Sequence, residues 1–187
     1  MTAEPATAPV VVLLTGPPGT GKSSLARAAA DALGAAVLGW DWVMAGLTPF
    51  DALQQAIEGL DREHHRRVGW SVLWNLAECQ VREGRPVVLD GVARQAEVDE
   101  TRGRFAAAGG RVLVVVTRCG DQALHRSRLE GRRRDIPGWH ELTWDGVART
   151  LDGWDEPTGA DLVLDAVDPL AANVTRVRRL VDAAREE

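Results

Sequence analysis

The residues from Gly16 to Ser23 read GPPGTGKS and match the phosphate-binding pattern G-x-x-x-x-G-K-[ST]. In such a loop the glycines let successive backbone N–H groups point inward, and the following helix adds the partial positive charge of its N-terminus. We expect Lys22 to contact the outer phosphates of a nucleotide and the Ser23 hydroxyl to ligate Mg²⁺. The residues predicted to bind the nucleotide here are Gly16, Pro17, Pro18, Gly19, Thr20, Gly21, Lys22, Ser23 and Ser24.

The flanks of this loop distinguish it from an ordinary glycine-rich turn between a strand and a helix. An apolar run over residues 10–14 predicts a buried strand before it, and a helix-forming run over residues 24–33 follows it. Lys22 is also the only lysine in the chain, since every other strong base is arginine. A compact ammonium fits inside a backbone loop where a planar guanidinium does not. Both observations favour phosphate binding.

Two aspartates at predicted strand ends supply further groups that phosphoryl transfer requires. Asp90 ends an apolar run over residues 87–89 and is predicted to hold Mg²⁺ directly or through water, although it can instead cap the next turn. Asp41 follows the second strand and is predicted to be the base, or the group that orients an acceptor hydroxyl. Its alternative role is also a helix cap. Trp40 and Trp42 beside it are expected to wall an acceptor pocket, with at least one of them in the core.

Five arginines within nine residues precede the breaker-rich segment 135–138. This pattern predicts a mobile lid, approximately residues 127–140, whose arginines clamp phosphates when the site closes. A solvated basic loop or a nucleic-acid patch is the alternative interpretation. The arginines are Arg126, Arg128, Arg132, Arg133 and Arg134.

The remaining histidines and tryptophans carry less chemical information. His64 and His65 are adjacent and so do not share a helix face, which favours a surface or acceptor-site role over metal binding. Trp70 and Trp74 lie four residues apart on a predicted helix, a spacing typical of core packing, although they can also line an acceptor cleft.

The apolar pattern predicts an α/β fold that brings these groups together. Five apolar strands alternate with helices, which is typical of a parallel sheet covered on both faces. In such sheets ligands bind at the carboxyl ends of the strands, so the phosphate loop, Asp41 and Asp90 are expected on one rim. The strands are predicted at 10–14, 35–39, 86–90, 111–116 and 161–165, and the helices at 24–33, 48–59, 62–83, 95–108, 121–130, 141–151 and 169–185.

Bulk properties narrow the class of protein. A chain of 187 residues predicts one domain, over residues 10–187, after a disordered arm over residues 1–9 that does not resemble a signal peptide. A net charge of −5 argues against a general nucleic-acid binder. Two distant cysteines and no apolar run long enough to span a membrane predict a cytoplasmic protein.

Five motifs in order resemble the P-loop kinase group. They are GPPGTGKS, LGWD at 38–41, VVLDG at 87–91, SRLEGRR at 127–133 and ADLVLD at 160–165. The resemblance spans roughly residues 10–182 and is to AAA-type small predicted kinases similar to chloramphenicol phosphotransferase, zeta-toxin-like kinases and polynucleotide kinases. It implies a five-stranded parallel sheet in the order 2-3-1-4-5, with ATP and Mg²⁺ as cofactors.

The resemblance also implies roles for single residues. Asp41 corresponds to the acid that acts on the acceptor hydroxyl. Arg128 corresponds to a lid arginine near adenine or phosphate, and Arg132 to one on the phosphates, with Arg133 and Arg134 as register alternatives. The loop 166–168 is expected to border the adenine. The implied catalytic residues are Lys22, Asp41, Arg128 and Arg132, Arg128 also binding nucleotide, and the implied metal ligands are Ser23 and Asp90.

Two departures from related patterns bear on neighbouring classes, the first weakening a polynucleotide-kinase interpretation and the second excluding an AAA+ ATPase. Polynucleotide kinases have an arginine three residues after the strand-two acid, where this chain has Met44. The sequence GPPGTGK also occurs in oligomeric AAA+ ATPases, which require an Asp-Glu pair at the end of strand three and a C-terminal helical domain. This chain has Asp90 followed by Gly91 and few residues after the fifth strand, so we do not expect an oligomeric AAA+ ATPase.

Together these observations predict an ATP-dependent kinase that phosphorylates a hydroxyl of a small molecule such as an antibiotic, a nucleoside or a sugar. A polynucleotide or RNA-end kinase is the first alternative, and a nucleotide-dependent regulatory ATPase without an acceptor is the second. The expected partners are ATP and a small-molecule acceptor, with no membrane and no nucleic acid, in a monomer or homodimer. The acceptor and the choice between ATP and GTP stay open.

Overall fold

Five parallel strands form one sheet in the order β2-β3-β1-β4-β5, which confirms the predicted fold and strand order. The computed structural model describes residues 8–186, apart from the side chain of Asp152. Residues 1–7 of the predicted N-terminal arm lie outside the described residues. The strands are β1 (Val10–Thr15), β2 (Ala36–Gly39), β3 (Val87–Asp90), β4 (Arg111–Arg118) and β5 (Leu162–Asp165).

Helices connect the strands and mostly match the predicted ranges. One helix, Trp40–Ala45, was not predicted and begins at the residue after β2 ends. Another begins at Trp144, later than the predicted residue 141, because Thr143 accepts a hydrogen bond from Gly146 N at 3.3 Å and caps it there. The helices are α1 (Lys22–Leu33), α2 (Trp40–Ala45), α3 (Asp51–Glu58), α4 (Arg62–Arg82), α5 (Gln95–Ala107), α6 (Gln122–Glu130), α7 (Trp144–Asp152) and α8 (Leu170–Glu186).

Each face of the sheet has its own core. One face packs on α1 and α8, and the other packs on α4 and α5. Trp70 and Trp74 of α4 are 1% exposed and belong to the second core, as their spacing predicts, and the Trp74 Nε1 donates to Thr101 Oγ1 at 3.0 Å. Within the described residues no helix combines the length and apolar character that crossing a membrane requires.

The register of the central strands brings their carboxyl ends to one rim. Leu14 of β1 pairs with Asp90 of β3, and Gly39 of β2 pairs with the same Asp90. The loop after β1 and the helix after β2 therefore leave the sheet on either side of Asp90. Asp41, two residues beyond Gly39, lies on this rim with them.

Candidate active site

The phosphate loop has a backbone that side chains would obstruct. Gly16, Gly19 and Gly21 have φ of 137°, 87° and 87°, in the region that favours glycine. A Cβ on Gly16 would lie 2.0 Å from the carbonyl oxygen of Thr117 on β4, so the loop start has no room for one. The ring of His125 on α6 lies 3.1 Å from a Cβ built on Gly19, and its Nε2 is 2.6 Å from Pro18 O.

Hydroxyl groups and Lys22 tie the loop to its own backbone and to β4. The Thr20 Oγ1 donates to Pro17 O at 2.7 Å and lies 2.6 Å from Thr117 Oγ1. The Lys22 Nζ donates to the same Pro17 O at 2.8 Å. The sequence analysis did not identify Thr117 or His125, since neither belongs to a motif and both lie about 100 residues away from the loop.

Lys22 is 8% exposed at the base of the loop. Burial is the main cause that lowers the pKa of its ammonium, Asp90 and Asp41 raise it, and Arg132 and Arg134 lower it, which together bring the pKa to about 8. The ammonium therefore lies among groups of both signs. A bound phosphate would add the negative charge that favours its protonated form.

Asp90 lies on the rim beside Lys22 and Ser23. Burial raises the pKa of its carboxyl, although Lys22 and a hydrogen bond from the Ser23 hydroxyl act in the opposite direction. A desolvated carboxylate next to a hydroxyl is the oxygen donor set that Mg²⁺ accepts, with nucleotide phosphates and water completing its coordination. The residues fit Mg²⁺. No group of three or more His, Cys, Asp or Glu side chains in the described part of the chain is arranged to hold a metal by itself.

Both carboxylate oxygens of Asp41 are bound by residues of the lid. The Arg134 Nη1 donates to Oδ2 at 2.8 Å, and the Trp139 Nε1 donates to Oδ1 at 3.2 Å. Asp41 lies in the first turn of α2 and lines the central cleft. Met44, three residues later, is 2% exposed and packs in the interior instead.

Arg134 is the lid arginine that the structure brings to Asp41. Its side chain is 6% exposed, its Nε lies 3.6 Å from Glu141 Oε2, and this Nε has no hydrogen-bond partner within the described residues. The backbone N of Arg134 also donates to Glu141 Oε1 at 3.0 Å. Glu141, which the sequence placed at a helix start, thus contacts the predicted lid segment at Arg134. The sequence had given Arg134 only as a register alternative.

The two arginines assigned to the nucleotide lie on the outer side of the phosphate loop. The Arg132 Nη2 donates to Ser23 Oγ at 3.4 Å. Arg128 donates to the carbonyl of Ala166, in the loop 166–168 that was expected beside adenine. Arg133 is exposed and forms no ion pair with any described residue.

Two cavities meet at the phosphate loop. The smaller, of about 140 Å³, lies outside the loop, and the larger, of about 830 Å³, extends from the loop across the rim. Lys22, Asp41 and Asp90 all line the larger cavity, which we call the central cleft. The smaller cavity is lined by Gly19, Gly21, Ser23, Ser24, Arg27, Arg128 and Arg132.

Aromatic side chains wall the part of the central cleft beyond Asp41. The Trp40 ring lies 6.2 Å from that of Trp139 and 5.8 Å from that of His65, between centroids. A Cβ on Gly69 of α4 would lie 2.3 Å from Trp40 Nε1, so a glycine inside this helix makes room for the indole. Trp42 is 59% exposed at the cleft surface. The expected aromatic walls are present, and it is Trp40 that is half-buried against the core.

A family model described as AAA domain, AAA_33, matches residues 11–152 of the chain. No curated protein sequence matches it at a significant level.

Solved structures resemble the whole described fold. A gluconokinase from Sinorhizobium meliloti 1021 is 22% identical, with a TM-score of 0.68 over 96% of this chain and 95% of that chain. The APS kinase CysC of Mycobacterium tuberculosis in complex with AMPPNP and APS is 20% identical, with a TM-score of 0.65 over 94% and 99%. Kti12 of Chaetomium thermophilum in complex with ADP-AlF3 is 16% identical, with a TM-score of 0.69 over 94% and 98%. At these identities the likeness is one of fold.

Proposed function

Since the chain belongs to the AAA_33 family of AAA domains and has the fold of the P-loop kinases, we propose that it is an ATP-dependent phosphotransferase. The γ-phosphate passes to a hydroxyl group of a small molecule. The solved gluconokinase and the APS kinase with AMPPNP and APS support a nucleotide and a small acceptor on this fold.

The observation that carries the proposal is the extent of the central cleft. Its volume of about 830 Å³ continues past Lys22 and Asp90 to Asp41 and the aromatic walls. Small-molecule sites typically occupy roughly 300–1,000 Å³ and have apolar walls with a few polar groups. The cleft therefore has room for an acceptor beside the nucleotide phosphates, with a carboxylate at the junction.

The residues divide the work of phosphoryl transfer between them. The phosphate loop and Lys22 hold the outer phosphates, and Arg132 approaches them from the lid side of Ser23. Asp41 orients the acceptor hydroxyl and accepts its proton as the O–P bond forms, while the bond from the γ-phosphorus to the bridging oxygen breaks and leaves ADP. Mg²⁺ held by Ser23 and Asp90 supplies charge neutralisation at the phosphates when it is bound.

The test is a screen for transfer of labelled γ-phosphate from ATP, with Mg²⁺, to hydroxyl compounds that include antibiotics, nucleosides and sugars. We expect at least one compound to become labelled, with ADP formed in equal amount. Release of inorganic phosphate alone, unchanged by every compound, contradicts an acceptor-dependent enzyme.

That contradicting outcome is the signature of a regulatory ATPase without an acceptor. One observation favours this second candidate, since both oxygens of Asp41 already have protein donors in Arg134 and Trp139. The similarity in fold to Kti12 is compatible with it. The same screen separates the two candidates, because only the kinase links ADP formation to an added hydroxyl compound.

A further inference from the structure

The central cleft is strongly basic although the chain has a net charge of −5. Among the described residues, eight lysine and arginine side chains line it, against two carboxylates, those of Asp41 and Asp90. A site with this excess of positive charge attracts anions. The basic residues are Lys22, Arg27, Arg62, Arg66, Arg94, Arg132, Arg134 and Arg149.

Four of these eight side chains lie at the phosphate loop or pair with Asp41. Lys22 lies in the phosphate loop, and Arg27 and Arg132 also line the smaller cavity outside the loop. Arg134 is paired with Asp41 at 2.8 Å. The triphosphate and Asp41 therefore account for the charge at one end of the cleft.

The other four arginines lie on elements that line the part of the central cleft where the proposed acceptor would bind. Arg62 and Arg66 lie on α4, Arg94 precedes α5, and Arg149 lies on α7. Hydrogen bonds join the aromatic walls to the backbone at or next to two of these arginines. The Trp40 Nε1 donates to Arg66 O at 3.1 Å. The Trp154 Nε1 donates at 3.3 Å to the carbonyl of residue 93, next to Arg94.

Glu97 contacts two of these arginines but pairs with the guanidinium of only Arg66. Glu97 is 8% exposed, and its carboxylate accepts from the backbone N of Arg94 at 2.8 Å and from Arg66 Nε at 3.3 Å. The Arg94 guanidinium extends instead toward Gly153, where a Cβ would lie 3.6 Å from its Nη2. Among the side chains that the structure describes, which leave out that of Asp152, no carboxylate lies within 4.0 Å of the Arg94, Arg62 or Arg149 guanidinium.

A half-buried guanidinium in a cleft that lacks a carboxylate partner is suited to bind an anion from solution. Arginine presents a planar fork of donors that matches a carboxylate, sulfate or phosphate group with two parallel hydrogen bonds. Arg94 presents such a fork in the central cleft, which Arg66 and Arg149 also line, and Glu97 holds the backbone of Arg94 and the side chain of Arg66.

We propose that Arg94, supported by Arg66 and Arg149, binds an anionic group on the acceptor, so that the substrate is a hydroxyl compound bearing a carboxylate, sulfate or phosphate. This inference rests on the proposed kinase function for its meaning, but the anion site can be tested without it. A neutral antibiotic, nucleoside or sugar would leave the Arg94 charge unmatched.

The first experiment measures binding of inorganic sulfate to the protein saturated with AMPPNP and Mg²⁺, which fill the phosphate loop. Tryptophan fluorescence reports the titration, since Trp40, Trp139 and Trp154 line the cleft, and chloride holds the ionic strength constant. We expect saturable binding that weakens about 10- to 100-fold in Arg94→Gln and to a smaller extent in Arg94→Lys, which keeps the charge and loses the fork. Arg178→Gln, a matched change at an exposed position of α8, leaves the affinity for sulfate unchanged.

The second experiment repeats the phosphate-transfer screen with matched pairs, each a neutral sugar and its carboxylate, sulfate or phosphate derivative. We expect the anionic member of a pair to have the higher kcat/KM, and Arg94→Gln to raise its KM about 10- to 100-fold, with the KM for ATP within about twofold. The three derivatives identify which anion the site takes.

Each failure has its own meaning. Absence of saturable sulfate binding, or sulfate binding that is unchanged in Arg94→Gln, overturns the anion site. Preferential transfer to the neutral members overturns it too and leaves the kinase proposal intact. Sulfate binding that depends on Arg94, without transfer to any compound, supports the anion site and contradicts the kinase.

Discussion

The Arg134 guanidinium donates to the Asp41 carboxylate at 2.8 Å across a separation of 93 residues in the chain. Together with Trp139 it binds both oxygens of the proposed base from the lid. An acceptor hydroxyl at Asp41 must therefore share the carboxylate with these donors or displace one of them. In the proposed kinase, binding of the acceptor and the position of the predicted lid segment would meet at this one carboxylate.

The variant Asp41→Asn is expected to lower kcat for phosphate transfer by about 10²- to 10⁴-fold, because the amide cannot accept the hydroxyl proton. The dissociation constant for ATP, measured by calorimetry, should stay within about twofold. Asp31→Asn on the exposed face of α1 serves as the matched control. Loss of ATP binding in a folded Asp41→Asn variant would instead assign Asp41 to the nucleotide site.

Removal of the Arg134 guanidinium is expected to loosen the lid. In Arg134→Gln the ion pairs to Asp41 and Glu141 are lost, so amide hydrogen exchange over residues 131–143 should accelerate several-fold, while β1 is unaffected. Arg133→Gln is the control, since Arg133 is exposed and unpaired among the described residues. Equal exchange in both variants would mean that the Arg134 contacts do not hold the lid.

Lys22→Arg is expected to lower turnover at least 100-fold, although the positive charge is kept. The Lys22 side chain is 8% exposed and its Nζ donates to Pro17 O inside the loop, where the larger planar group does not fit. Steady-state kinetics and calorimetry with ATP give the measurement, and circular dichroism checks the fold. Turnover near that of the unchanged protein would argue strongly against a phosphate-binding role for this loop.

Gly16→Ala is expected to lower the melting temperature by about 5 °C or more, and ATP binding with it. The new methyl would lie 2.0 Å from the Thr117 carbonyl oxygen, at a φ of 137°. Gly103→Ala makes the same chemical change on α5, where nothing lies within 4 Å of the new Cβ. Because alanine favours helix, this control should gain about 0.5–1 kcal/mol in the free energy of unfolding. Similar losses in the two variants would contradict the steric explanation.

The Glu78→Gln variant is expected to have a lower free energy of unfolding than the unchanged protein at neutral pH. In acid the two proteins should be equally stable. Hydrogen bonds from Arg104 and then Arg82 lower the pKa of the Glu78 carboxyl below its usual 4.5. A lowered folded-state pKa contributes stability that is present above pH 4.5 and is lost as the pH falls through the folded-state value. Urea unfolding of both proteins across this range measures the difference. A gap that stays constant with pH would exclude the charge as its cause.

Much of the fold follows from local patterns in the chain. Successive valines of β4 point to opposite faces of the sheet, so an unbroken apolar run predicts a strand that is buried on both faces. The central residues of β4 are buried in this way. Gly34 ends α1 in the left-handed conformation that glycine adopts at helix ends. Strand β2 was predicted within one residue, but the helix α2 after it was missed, because Trp40 continues the apolar pattern of the strand and packs against Gly69 and Gly91 only in the folded protein.

The sequence by itself predicted the phosphate loop, the position of Asp90 at a strand end and of Asp41 just after one, and an arginine-rich segment after the fourth strand. These follow from periods of two and 3.6 residues and from a motif of eight consecutive residues. Only the tertiary structure decided that Arg134 contacts Asp41, while Arg132 contacts Ser23, and that Glu97 bonds both the Arg66 side chain and the Arg94 backbone. Such pairings join segments far apart in the chain. They depend on how an irregular loop and two helix ends pack over the sheet, which no local spacing encodes.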